Sequence, residues 1–230
     1  MSQTLTGNTR VVLFDLDGTL VDTAHDLGLA LNMQLVRHGK PTIAHEKIWP
    51  IASHGSRGLL ELGFEITPSD ECFEAMRKEY LDLYEEVFTN QPILLPGIEA
   101  LLIKLYSQNI IWGIVTNKPR RFSVNLINAV RFNGKYLSDY SACLLCGDDA
   151  VTPKPSPDTL LMACEALDTK PENCIYVGDA ERDVQAAKAA GMPSVVALFG
   201  YIAEKDNPAE WGADFTIKQP GELLCLVTAN

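Results

Sequence analysis

Short apolar runs separated by helical periodicity set the first reading of the chain. VVLFD at 11–15, IIWGIVT at 110–116, CLLC at 143–146, CIYVGD at 174–179 and SVVAL at 194–198 are compact and largely β-branched or aliphatic. Apolar residues at consecutive rather than alternate positions predict strands buried on both faces. Between them lie patterns with apolar residues three and four apart. These are IEALLIKLYSQ at 98–108, PDTLLMACEAL at 157–167 with a proline in its first turn, and ERDVQAAKAAG at 181–191, ending on a glycine suited to a C-terminal cap. Strands alternating with helices predict an α/β fold, a Rossmann-like doubly wound parallel sheet with helices on both faces.

One stretch departs from that rhythm. Between 21 and 91 there is no strand pattern, only amphipathic helices, the clearest being DLGLALNMQLVRHG at 26–39 and ECFEAMRKEYLDLYEEVF at 71–88. Pro92 and Pro96 mark the return of the chain. The expected plan is a core of 1–20 and 92–230 with a helical cap of 21–91 inserted after the first strand. Such an insert lies over the C-terminal edge of the sheet, where doubly wound folds hold ligands. The polar residues up to Thr9 read as a loose tail.

Charge narrows the range of partners. The 230 residues carry 19 Lys and Arg against 30 Asp and Glu, a formal net charge of −11. That balance disfavours nucleic acid and anionic membrane surfaces, both polyanions, and a phosphate site must rely on local cations or backbone N–H groups. No apolar run reaches bilayer-spanning length, and the first ten residues lack a signal-peptide core. The six cysteines show no disulfide spacing, so a reducing cytoplasm is expected, with the chain a monomer or homodimer. Cys143 and Cys146 form a C-x-x-C inside an apolar run, with no second pair to complete a metal site, and read as buried core residues.

Four segments near strand ends carry candidate chemistry. In Asp15-Leu16-Asp17-Gly18-Thr19, two carboxylates two residues apart project to one side of an extended backbone. Asp15 suits a nucleophile that forms an acyl-phosphate, and Asp17 a general acid and base. Gly18 allows a sharp turn that aims the N–H groups of Leu16 and Asp17 at a phosphate. The other reading is a strand-to-turn transition in which the aspartates bond only the backbone. Thr116 and Asn117 offer a hydroxyl and an N–H to a phosphate oxygen, or an N-cap pair with no ligand. Lys154, held between prolines in KPSP, is a positioned charge for Asp15 and phosphate, or an exposed loop lysine. In GDAERD, Asp179 joins Asp15 in a hard-oxygen site suited to Mg²⁺, while Asp183 supports that site from outside or favours the helix dipole.

In order and spacing, DLDGT, the apolar run ending in Thr116, KPSP with Lys154, and GDAERD with Asp179 and Asp183 resemble the signature of the haloacid-dehalogenase-like phosphatases. The resemblance spans almost the whole chain. It implies a Rossmann-like core, a helical cap, and Mg²⁺ held by the Asp15 side chain, the Asp17 carbonyl and the Asp179 side chain. It implies a phosphomonoesterase of the phosphoglycolate phosphatase group, acting on a small phosphate ester through an aspartyl-phosphate. WGIVTNKPRRF at 112–122 and GYIAEKDNPAEWGAD at 200–214 resemble the N-acetylmuramic acid 6-phosphate phosphatases; Trp211 is alternatively core packing.

The cap is expected to supply specificity through Ser53-His54-Gly55-Ser56-Arg57-Gly58, read as a flexible segment between cap helices. Arg57 there suits a substrate carboxylate, or is a surface arginine at a helix start. His25, His38, His45 and His54 carry no usable pattern. Two other functions share the framework: a sugar-phosphate mutase and a catalytically silent binding protein. A haloacid dehalogenase is disfavoured, since that reaction needs neither a metal nor a proton donor at position 17.

Overall fold

The computed structural model describes residues 11–227, so the expectation of a loose tail up to Thr9 lies outside the described residues. In chain order the elements are β1 (Val11–Phe14), β2 (Val21–Asp22), α1 (Ala24–Arg37), α2 (His45–Ile48), a 3₁₀ helix (Trp49–His54), α3 (Gly55–Phe64) and α4 (Phe73–Val87). There follow β3 (Ile93–Leu94), α5 (Ile98–Ser107), β4 (Ile111–Val115), α6 (Arg120–Ile127), β5 (Arg131–Phe132), β6 (Lys135–Tyr136) and β7 (Leu144–Leu145). The chain continues through α7 (Asp158–Ala166), β8 (Cys174–Gly178), α8 (Glu181–Ala190), β9 (Ser194–Ala197), β10 (Phe215–Ile217) and α9 (Leu224–Val227).

Six strands form one sheet in the order β10-β9-β8-β1-β4-β7, with every pairing parallel. The alternation of side chains along each strand divides the apolar residues between two layers. Val12 and Phe14 of β1 face one layer with Ile114, Ile175 and the apolar stripe of α5. Val11 and Leu13 face the other with Tyr176 and the small residues of α7 and α8. Both faces are covered, which is why these strands read as unbroken apolar runs.

α1 to α4 lie between β2 and β3 and build a third apolar layer around Leu31, Leu35, Tyr80 and Leu83. The two crossings between core and helices pair as an antiparallel ribbon, Val21 with Leu94 and Asp22 with Ile93. Two residues per strand are too short to show periodicity, so the sequence reading gave 21–91 no strand. The same limit hid the β5–β6 pair and β10.

Three expectations need correction. Ser53 to Gly58 is helical, the end of the 3₁₀ helix and the first turn of α3, with Gly55 at φ 59° making the corner between them. Glycines there signalled a bend, not a loop. Pro157 caps α7 from outside, and Cys143 is only half-buried while Cys146 is buried. No described helix is long and apolar enough to cross a membrane.

β1 lies in the middle of the sheet, and Phe14, 1% exposed, meets Trp112 edge-on at 6.4 Å between ring centroids. Phe14→Ala should therefore cost about 3–5 kcal/mol of stability. The check is a drop in the urea midpoint at unchanged slope; a loss below about 1 kcal/mol would show that the layer repacks.

Candidate active site

β1, β4 and β8 are neighbours, so the residues following them emerge together at the C-terminal edge of the sheet. The ladder continues one residue past each of β1 and β4: Asp15 N–H donates to Val177 O at 2.9 Å, and Thr116 N–H to Leu145 O at 2.9 Å. Two glycines allow the close approach. A Cβ on Gly18, at φ 78°, would overlap the Asp179 carboxylate and the Tyr201 ring, and one on Gly200 would overlap Asp179 and the Gly18 carbonyl.

Asp15, Asp179 and Asp183 are buried, each with a carboxylate oxygen within 4.8 Å of the others. Lys154 is buried among them, its Nζ 3.1 Å from Asp15 and 2.8 Å from Asp183, with the Val115 carbonyl at 3.1 Å and the Tyr176 hydroxyl at 2.5 Å. The alternative of an exposed loop lysine is thereby removed. Asn117 holds Lys154 in place through both ends of its amide, donating to Lys154 O at 2.8 Å and accepting from Lys154 N–H at 2.9 Å. Asp183 also accepts the Ala180 N–H at 3.0 Å, fixing the turn into α8. Leu16 N–H donates to Asp15 Oδ1 at 2.8 Å, and the buried Thr116 hydroxyl accepts Lys118 N–H at 3.2 Å.

Among the described residues no cation is in contact with Asp179. Its carboxylate accepts the Ser53 hydroxyl at 2.6 Å, Tyr201 N–H at 2.8 Å and, more weakly, the Thr19 hydroxyl at 3.4 Å. Burial, then the charges of Asp15 and Asp183, push its pKa from 3.8 up to about 8. Arg182, half-buried at the start of α8, is the second cation of the cluster. Burial alone would weaken its hold on a proton, but Asp183, Asp15 and Asp179 more than offset this. Three buried carboxyl groups thus face two cations. An excess of buried hard oxygen ligands is the donor chemistry of a divalent cation site of the Mg²⁺ kind.

Asp17 stands apart from that cluster. Lys118 Nζ contacts both its oxygens, at 3.1 and 3.2 Å, and donates to the Tyr84 hydroxyl of α4 at 2.8 Å; Thr23 donates to Asp17 at 2.6 Å. Asp15, Asp17, Thr116, Asn117 and Arg57 all line one cavity of about 530 Å³. Its far wall carries Phe73, Arg77, Tyr80 and Tyr84 from the cap helices, and Arg57 is exposed there. The sequence reading gave no role to Lys118, Arg182, Tyr84 or Arg77, and named Ser53 only as the first residue of the cap segment. Lys118 directly follows Thr116 and Asn117, and Arg182 lies inside GDAERD. Tyr84 and Arg77 had no sequence signal, because tertiary packing alone brings them to the cavity.

Comparison with known proteins agrees with this geometry. The profile of the haloacid dehalogenase-like hydrolases matches residues 12–197. An N-acetylmuramic acid 6-phosphate phosphatase of Pseudomonas putida is 36% identical, with 93% of this chain and 94% of the relative aligned. A phosphoglycolate phosphatase of Xanthomonas campestris is 39% identical over the same shares. Among solved structures, a protein from Bacteroides fragilis assigned as a haloacid dehalogenase-like hydrolase superposes with a TM-score of 0.76 at 27% identity, covering 93% of this chain and 99% of its own. With its matched profile, its parallel sheet and its buried aspartates at the strand ends, this chain belongs to the haloacid dehalogenase-like hydrolases.

Proposed function

We propose that the protein is a Mg²⁺-dependent phosphomonoesterase of the phosphoglycolate phosphatase group, with Asp15 as nucleophile and Asp17 as general acid and base. The observation that supports the assignment of roles is the pairing of two carboxylates that line one cavity, each with its own lysine. Asp15 has Lys154 at 3.1 Å and Asp17 has Lys118 at 3.1 Å. An Asp15 oxygen attacks phosphorus while the ester oxygen departs with a proton from Asp17. Water then yields a proton to Asp17 and attacks the same phosphorus, releasing phosphate and restoring Asp15. Lys154 balances charge on Asp15 and the transferring group, and Thr116, Leu16 and Asn117 supply hydroxyl and N–H donors. Asp15, Asp179 and the Asp17 carbonyl would hold Mg²⁺, which lends Lewis acidity to the phosphoryl oxygens, and Asp183 supports the set through Lys154.

The cavity favours a bulkier ester than phosphoglycolate. A two-carbon acid fills little of about 530 Å³, whereas an aromatic wall and the guanidinium of Arg57 suit a sugar ring with a carboxylate. N-acetylmuramic acid 6-phosphate has that chemistry, and it is what the Pseudomonas putida relative is named for. The six cysteines are free thiols, which suits the cytoplasm.

Three outcomes are expected. With Mg²⁺ the protein releases phosphate from p-nitrophenyl phosphate; EDTA or Asp15→Asn abolishes this with the fold intact by circular dichroism. Near-native turnover in Asp15→Asn would remove the nucleophile assignment. Lys118→Met should lower kcat about 100-fold and move the pH–rate profile, a readout that loss of packing alone would leave in place. Against phosphoglycolate, N-acetylmuramic acid 6-phosphate should show a kcat/KM advantage of about 100-fold, or about 2.7 kcal/mol; equal values would reject the bulkier substrate.

Stability also carries a signature. The folded Asp179 keeps its proton to about pH 8, whereas an unfolded aspartate releases it near 3.8, so the folded state binds more protons across that window. Raising pH from about 4 to about 8 therefore destabilises the metal-free protein. A divalent cation displaces that proton, so the gain in Tm on adding Mg²⁺ should be larger at about pH 8 than at about pH 6. A larger gain at the lower pH in thermal-shift measurements would contradict a cation on Asp179.

A further inference from the structure

A second cavity, of about 500 Å³, lies on the other side of part of the same wall. His54, Arg57, Arg182 and Lys205 line it, with Glu61 as the one carboxylate among its described lining residues. That lining runs against the composition of the chain, in which acidic residues outnumber basic ones 30 to 19. Three permanent positive charges line it against one negative, although Arg182 also faces the Asp15, Asp179 and Asp183 cluster. Among the described residues His54 pairs with Asp206 at 3.6 Å, while Arg57, Arg182 and Lys205 enter no salt bridge. Arg182 instead donates to the Ser53 carbonyl at 2.8 Å, which fixes the guanidinium between the two cavities.

The His54 imidazole is held below its ordinary pKa of 6.5 by burial, and Arg182 and Lys205 add to that effect against the opposing pull of Asp206. Arg57 comes from the first turn of α3, Arg182 from the first turn of α8, and Lys205 from the segment after β9. Cap and core thus each contribute cations. Two guanidinium groups and an ammonium supply donors that match an anion with several acceptor oxygens, as in the phosphate class.

We propose that this second cavity binds a small dianion of the phosphate class, at a site separate from the catalytic pocket. That the neighbouring pocket is catalytic rests on the function proposed above; the anion site itself does not. His54, Arg57 and Arg182 line both cavities, so an anion in the second draws Arg57 away from the first. Inhibition by phosphate then has a component that substrate does not relieve.

Calorimetry with inorganic phosphate on the Mg²⁺-loaded protein, at ionic strength fixed with sodium chloride, tests this directly. The wild type should bind two phosphates per chain. Lys205→Glu, at an exposed position that lines only the second cavity, should lose one of them or weaken it at least tenfold. Lys170→Glu, exposed and elsewhere, should keep both. In initial-rate work with p-nitrophenyl phosphate, inhibition by phosphate should be mixed in the wild type and purely competitive in Lys205→Glu, with kcat/KM unchanged when phosphate is absent. A parallel titration with methylphosphonate separates the sources: binding of phosphate alone points to the released product, and binding of both to an ester. A single phosphate in the wild type, or two in Lys205→Glu with unchanged affinities, overturns the proposal. Calorimetry reads binding without turnover, so an inactive protein that takes up two phosphates would refute the phosphatase and leave this site standing.

Discussion

Burying a carboxylate without a counter-charge costs several kcal/mol, and this fold places three of them within 4.8 Å of one another. The structure around the C-terminal edge of the sheet answers that constraint. Lys154 bridges Asp15 and Asp183 from a segment between two strands, and Asn117 clamps its backbone from the next loop. Asp179 is left to hydroxyls and one backbone N–H, and retains its proton far above the ordinary range. A site that resists ionisation in this way, and would ionise around a divalent cation, would couple metal binding to charge in a single step.

The helical cap is tied into the same network. Ser53 reaches Asp179 and Tyr84 reaches Lys118, which grips Asp17. Each strand-end carboxylate outside the Lys154 bridge thus feels one residue of the cap. Bonds of this kind contribute about 1–3 kcal/mol each, enough to favour a docked cap and few enough to exchange for contacts with a ligand. Tyr201 reinforces the junction from the core side: its hydroxyl donates to Asp22 at 2.7 Å, accepts from Thr23 N–H at 2.7 Å, and its ring meets Trp49.

The strand ends were legible in the sequence because their information is local. β1, β4 and β8 are buried on both faces and appear as unbroken apolar runs, and the residues that follow each run inherit its position. Asp15, Asp17, Thr116, Lys154, Asp179 and Asp183 all arrive at one edge by that logic. β2, β3 and β10 were illegible because two or three residues cannot express a period. Gly55 and Gly58 misled for another reason: one makes a corner between two helices, and the other gives His54 room to pack, so neither opens a loop. Arg182 sat inside a segment read for its aspartates, and its contact with Ser53, 129 residues away in sequence, exists only in the folded molecule.

The same distinction bears on selectivity. Groups that handle the phosphoryl end of a substrate sit on rigid strand ends, whereas the opposite wall is assembled from side chains of separate helices, Phe73 and Tyr80 of α4 facing Leu27 of α1. Contacts made there with the remote part of a substrate are available only while the cap is docked, and docking is also what brings Tyr84 onto Lys118 beside Asp17. On the roles proposed above, remote binding energy is thereby directed into the geometry at Asp17, so a substrate that fills the cap wall poorly would lose rate as well as affinity. In an acidic chain that cannot attract anions from a distance, this arrangement leaves recognition to the few cations the fold brings together at the junction of core and cap.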